Sequence, residues 1–185
     1  MSRSVRIALG IALCLVAART GASAQSVAPD TASLEFRGFR PGARLAEIAT
    51  RVEQLDGAQL RCERAKVDRR INECRATLTD PDFGGPVELW LSAIDSVAGV
   101  VTLSGEVAAD QLDQWRSGLE ARYGRVGAKV QGPQWMMQWI RHDRMLRLTW
   151  RIDHGGKVAS VALVDGNVLD AWGRERARRA AGSRS

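Results

Sequence analysis

The chain has 185 residues, 45% of them hydrophobic and 26% charged, with 27 Lys and Arg against 21 Asp and Glu, a formal net charge of +6. That length suits one ordinary domain with its own core. The excess positive charge lies at the two ends and leaves the body close to neutral, which excludes the basic folded face of a nucleic-acid binder.

Residues 1–24 read as a secretory signal peptide. Arg3 and Arg6 form a basic start, Ile7 to Ala18 is mostly apolar, and Ala22-Ser23-Ala24 is a small-residue cleavage pattern. The apolar run falls short of the roughly 20 residues that a spanning helix needs. Cys14 lies inside it, but Leu13 stands where a lipoprotein signal carries a small residue. Export to the periplasm or out of the cell is therefore expected. Export leaves Cys62 and Cys74, an even count in an oxidising compartment, and one disulfide is expected between them.

Residues 25–33 are rich in Ser, Ala, Pro and Asp and read as a flexible leader. A single domain is expected over residues 34–173. Leu34 to Phe39 reads as a short first strand that Pro41-Gly42 ends. Leu45, Ile48, Val52 and Leu55 recur at spacings of three and four, which predicts an amphipathic helix over 43–56 with Gly57 as a left-handed cap. A hairpin centred on Asp68 places Cys62 opposite Cys74, Arg61 opposite Arg75 and Glu63 opposite Glu73.

Residues 80–86 form a loop by composition, and strands are predicted over 87–94 and 97–103. The first of these is apolar on both faces, with Leu89 and Leu91 on one and Trp90 and Ile94 on the other. Such a strand is central in its sheet or covered on both sides. A second helix is predicted over 109–123, with Leu112, Trp115, Leu119 and Tyr123 on one face and Gly124 as its cap. A loop over 125–133 follows.

Residues 135–165 read as a three-stranded meander turning at Asp143-Arg144 and Gly155-Gly156. That register sets Trp139 opposite Leu148, Met137 opposite Trp150 and Trp135 opposite Ile152. Leu148, Trp150 and Ile152 then face Leu163, Val161 and Ala159. All nine share one side, because strand side chains alternate with period two. The other side shows Met136 opposite Arg151, Gln138 opposite Thr149 and Ile140 opposite Arg147. These six residues are a candidate docking face for an acidic partner, an ordinary solvated face, or a face covered by the leader. Val168, Leu169 and Trp172 are expected to form a closing turn. Residues 174–185 read as a disordered Arg-rich tail, in weak contact with anionic lipid at about 1 kcal/mol per arginine near the surface.

Leu45, Ile48, Val52 and Gly57 recur 67 positions later as Leu112, Trp115, Leu119 and Gly124. The expected fold is α+β, an antiparallel sheet of six to seven strands with two amphipathic helices on one face, built from two helix-plus-meander repeats. Phe36-Arg37-Gly38-Phe39-Arg40-Pro41-Gly42, followed by a helix and a meander, resembles the opening of small envelope proteins. Two such groups are the small lipoproteins of outer-membrane protein assembly and the tandem-repeat β-lactamase-inhibitor fold. The resemblance implies a non-catalytic module that binds another envelope protein with its sheet. It transfers no functional residue, and the chain departs from the lipoproteins in its lipid-attachment position.

No catalytic, metal or cofactor grouping is legible. His142 and His154 fall at separate turns, and no HExxH, CxxC, GxSxG or phosphate-loop spacing occurs. The expected function is an exported, non-enzymatic, protein-binding module. The alternatives are a carrier of a small apolar ligand or lipid between helices and sheet, and an enzyme.

Overall fold

A computed structural model describes residues 33–79 and 81–182; the expected signal peptide and nearly all of the leader lie outside them. The elements run α1 (Leu45–Gln54), β1 (Arg61–Arg64), β2 (Ile71–Leu78), a 3-10 turn (Pro81–Phe83), β3 (Val87–Ile94) and β4 (Val97–Val107). Then follow α2 (Ala109–Tyr123), β5 (Lys129–Gln131), β6 (Gln134–Arg141), β7 (Arg144–Asp153), β8 (Gly156–Asp165) and α3 (Gly166–Gly182). All eight strands join one antiparallel sheet in the order β1-β2-β3-β4-β8-β7-β6-β5. A helix followed by a four-stranded meander thus occurs twice. The two meanders meet along β4 and β8, where Val101 pairs with Leu163 and Leu103 with Val161.

The α+β class holds, but the described residues form eight strands and three helices where six or seven strands and two helices were expected. The unforeseen strand, β5, lies inside the predicted loop. Gly132, at φ 58°, and Pro133 turn the chain so that Gln131 pairs with Gln134. The predicted first strand, 34–39, is instead a tight reversal. Phe36 and Phe39 exchange both backbone hydrogen bonds, at 3.0 and 2.9 Å, around Arg37 and Gly38.

Helices α1 and α2 pack on the same face of the sheet. Ile48, Val52 and Leu55 from α1 join Leu112, Trp115, Leu119 and Tyr123 from α2 over Cys74, Ala76, Leu89, Leu91, Val101, Leu103, Met137, Leu146, Leu148 and Leu163. The strands supply this face by alternation: Cys74, Ala76 and Leu78 in β2 and Val87, Leu89, Leu91 and Ala93 in β3 are buried at every second position. Phe36 and Phe83 meet Trp115 edge-on, with ring centroids 5.1 and 6.3 Å away, which fills the space beneath α2 with aromatic surface. At the end of α1 the left-handed residue is Asp56, at φ 49°, and not Gly57; Gly57 N–H still closes the turn on Val52 O at 3.0 Å.

The hairpin of β1 and β2 has the predicted register, and Cys62 and Cys74 form the predicted disulfide. Closing so short a loop stabilises the fold by about 3 kcal/mol. In the second meander the register differs. Trp139 pairs with Leu146, Met137 with Leu148 and Trp135 with Trp150; across the next turn Leu148 pairs with Val161 and Trp150 with Ala159. Each turn lies one residue earlier than expected, at His142-Asp143 and His154-Gly155, with positive φ at both central residues. That backbone form matches the twist of the flanking strands. A one-residue shift of a turn moves each pairing by two, so every side chain keeps its predicted side. Two of the nine expected interior residues nevertheless stay open, Trp135 at 36% and Ile152 at 63% exposure. They lie at the β6–β7 ends remote from the His142 turn, where Arg116 of α2 sits 5.2 Å above the Trp150 ring.

The largest departure is the C-terminus. The predicted closing turn and the Arg-rich segment expected to be disordered form one helix, α3, to Gly182. Asp165 starts it by accepting Val168 N–H at 3.1 Å, as an N-cap does. Ala171, Ala177, Ala180 and Ala181 favour helix, and Arg179 in the last turn complements the helix dipole.

Candidate functional site

The sheet has two unlike faces. One is sealed by α1 and α2. The opposite, outer face carries Arg75 from β2, Trp90 from β3, Thr102 and Ser104 from β4, and Ser160 and Ala162 from β8. It continues through Arg147, Thr149 and Arg151 from β7 to Met136, Gln138 and Ile140 from β6. All six candidate residues lie on this face, although in different pairs from those predicted. Met136 is beside Thr149, Gln138 beside Arg147 and Ile140 beside Met145. Toward β8, Arg147 meets Ala162, Thr149 meets Ser160 and Arg151 meets Val158.

Local bonds hold these side chains in place. Arg147 donates from Nε and Nη2 to Gln138 Oε1, at 3.0 and 2.8 Å. Both bonds fall on the amide oxygen, and the amide nitrogen beside it carries two N–H donors. Arg151 donates to Asp153 at 3.0 Å. Ile140 is 65% exposed. Lys129 pairs with Met136 and so lies on the same face. Over β5 to β7 the face thus presents Lys129, Arg147 and Arg151, with Asp153 as the acidic group at its end. Toward β1 to β4 the balance reverses, with Glu63, Glu73, Glu88 and Glu106 against Arg61 and Arg75.

α3 covers one end of this face. Leu169 lies close enough to Gly99 that a Cβ there would approach its Cδ2 to 2.9 Å, and Ile71 and Ile94 are buried on this side. The Trp172 indole N–H donates to Asp68 Oδ2 at 2.9 Å, and Arg70 donates to Glu175 at 2.6 Å. The tip of the first hairpin therefore clamps the helix. The hydrogen bond from Trp172, then those from Arg70, hold the Asp68 carboxyl well below the usual carboxylate range. Arg70 and Arg179 lower Glu175 in the same way.

The sequence reading missed Trp90, Arg75 and Lys129 as members of the outer face. The signal for Lys129 was available in Gly132-Pro133, a two-residue turn directly before β6. The histidines stand in turns at opposite ends of β7, and no group of three or more metal-ligating side chains occurs among the described residues. No helix among those residues is long and apolar enough to cross a membrane. Comparison with family models, with curated proteins and with solved structures finds no match to the chain.

Proposed function

We propose that this protein is an exported, non-enzymatic module that binds another protein of the cell envelope through the outer face of its sheet. One observation carries the reading: the helices of both repeats pack on the same side, which leaves Met136, Gln138, Ile140, Arg147, Thr149 and Arg151 facing outward on adjacent strands. A face with apolar side chains among fixed arginines has the make-up of a protein interface, where Met and Arg are enriched. The disulfide between Cys62 and Cys74 is compatible with an oxidising compartment. Because Arg147 and Arg151 dominate this half of the face, the partner's complementary surface is acidic.

The test is affinity capture from envelope extracts with the wild type and with Arg147→Glu/Arg151→Glu. Charge reversal at two positions is expected to remove the specific partner and to slow association most at low salt. Capture of the same partners in the same amounts would reject the face.

A further inference from the structure

The backbone of β6 is only partly covered. β5 pairs with it at Gln134, Trp135 and Met136 and then departs, as the chain between Tyr123 and Lys129 leaves the sheet plane. Trp139 Nε1 and Arg141 Nη2 tie that departing chain down, to Gly124 O at 2.8 Å and Tyr123 O at 2.9 Å. A groove of about 460 Å³ remains, lined by Val126, Gly127, Lys129, Met136, Gln138 and Ile140. That volume lies in the range of sites that take small ligands or short peptide segments.

The hairpin fixes what the backbone offers there. Arg141 and Arg144 flank the two-residue turn and so exchange both their backbone bonds. Alternation then directs Trp139 and Met137 toward β7, and Ile140 and Gln138 away from it. Beyond β5, the N–H and C=O groups of Gln138 and Ile140 therefore point into the groove, in line with the ladder that β5 begins. This is an open strand edge bordered by apolar side chains, with Lys129 as the charged group in the groove lining and the Gln138 side chain beside it. Open edges of this kind are ordinarily blunted by a covering segment or by strand shortening.

We infer that the edge of β6 at Gln138 and Ile140 is a docking site for an extended acidic peptide, which adds as a strand where β5 leaves off. This deepens the sheet-binding reading above and rests on it. Backbone pairing supplies the attraction, and alternate side chains supply the selectivity. An apolar residue fits against Ile140, and an acidic residue two positions along, on the same face of the added strand, meets Lys129 and Gln138. A second copy of this chain is the poorer occupant, because edge-to-edge pairing would bring two sets of Lys129 and Arg147 together.

The probe is a fluorescein-labelled peptide, acetyl-Thr-Glu-Thr-Leu-Thr-Glu-Thr-amide, whose Glu and Leu side chains share one face of an extended strand, titrated with purified protein and read by anisotropy. Saturable binding is expected, weakened at least tenfold by Ile140→Pro. This variant removes an outward N–H and no bond to β7. Two versions of the peptide, N-methylated on alternate amides in the two possible phases, keep the test independent of how that variant folds. One phase should bind within threefold of the parent, and the other should lose at least tenfold. Three results would overturn the inference: no binding by the wild type at millimolar protein, equal binding of both methylated phases, or a peptide-free dimer that Ile140→Pro dissolves. Arg151→Glu, remote from the groove, separates the two readings. Partners lost in Arg151→Glu but kept in Ile140→Pro leave the face standing without the edge. The reverse pattern leaves the edge without the face.

Discussion

Asp165 is the residue through which three parts of the chain are joined. Among the described residues it is the one buried charged group, at 2% exposure. Its carboxylate accepts Arg144 Nε at 2.9 Å and the N–H of Val168 at 3.1 Å, so it ties β7 to the start of α3. Gly42, at φ 76°, lies so close that a Cβ there would overlap Asp165 Oδ2. Asp165→Ala removes a helix cap and leaves Arg144 without its carboxylate, and each of these costs about 1 kcal/mol. The expected loss is about 2 kcal/mol, or roughly 4–8 °C in a thermal melt of a domain this size. Asp165→Asn keeps an acceptor for the cap and should recover part of it. Equal melting of Asp165→Ala and wild type would refute this role. At this scale the sequence shows the side on which a residue lies better than its partner. Trp139 and Leu148 belong to the same face on period alone, but their pairing depends on which two residues turn. Here the left-handed conformations of His142 and Asp143 set that choice, at φ 47° and 60°.

Among the elements, α1 and α2 and the strands from β2 to β4 were legible because each has a stripe or an alternation that one core face rewards. β5 has only three residues, all exposed, and carries no such pattern. α3 escaped detection for a related reason: no residue in it is fully buried, and its composition is that of a solvated tail. What holds it is a polar clamp from a hairpin 104 to 105 residues away in sequence, which no local pattern reveals. The clamp has a definite pH dependence. The carboxyls of Asp68 and Glu175 have folded-state pKa values below their unfolded ones. Their contribution is therefore complete above the unfolded value, near pH 4, and fades as pH falls through the folded values. Amide protection over residues 168–179, corrected for intrinsic exchange, should thus drop between pH 4 and pH 2 while β4 and β8 stay protected. Asp68→Ala should lower it at neutral pH as well. Unchanged protection in that variant would mean that Val168, Leu169 and Trp172 hold the helix by packing alone.

At the scale of the molecule, the decisive feature is the seam between the two repeats. β4 and β8 pair from Val100–Val164 to Val107–Lys157, and Leu103, Val161 and Leu163 on their inner sides are wholly buried in the core that α1 and α2 share. Neither half retains a closed core without the other, because the same hydrophobic cluster runs from Leu78 and Val87 in the first to Met137 and Leu148 in the second. The molecule should therefore unfold in one transition despite its internal repetition. Leu103→Ala opens the seam at its middle and should cost about 2–5 kcal/mol, the range for emptying a packed leucine site. Because the site belongs to both halves, the loss should appear equally in amide exchange of β2 and β3 and in that of β6 and β7. Tryptophan fluorescence and far-ultraviolet circular dichroism should likewise shift together. If instead β2 and β3 lost protection while β6 and β7 kept theirs, the repeats would be separate folding units. The uncovered outer face would then have to be assigned to each half on its own.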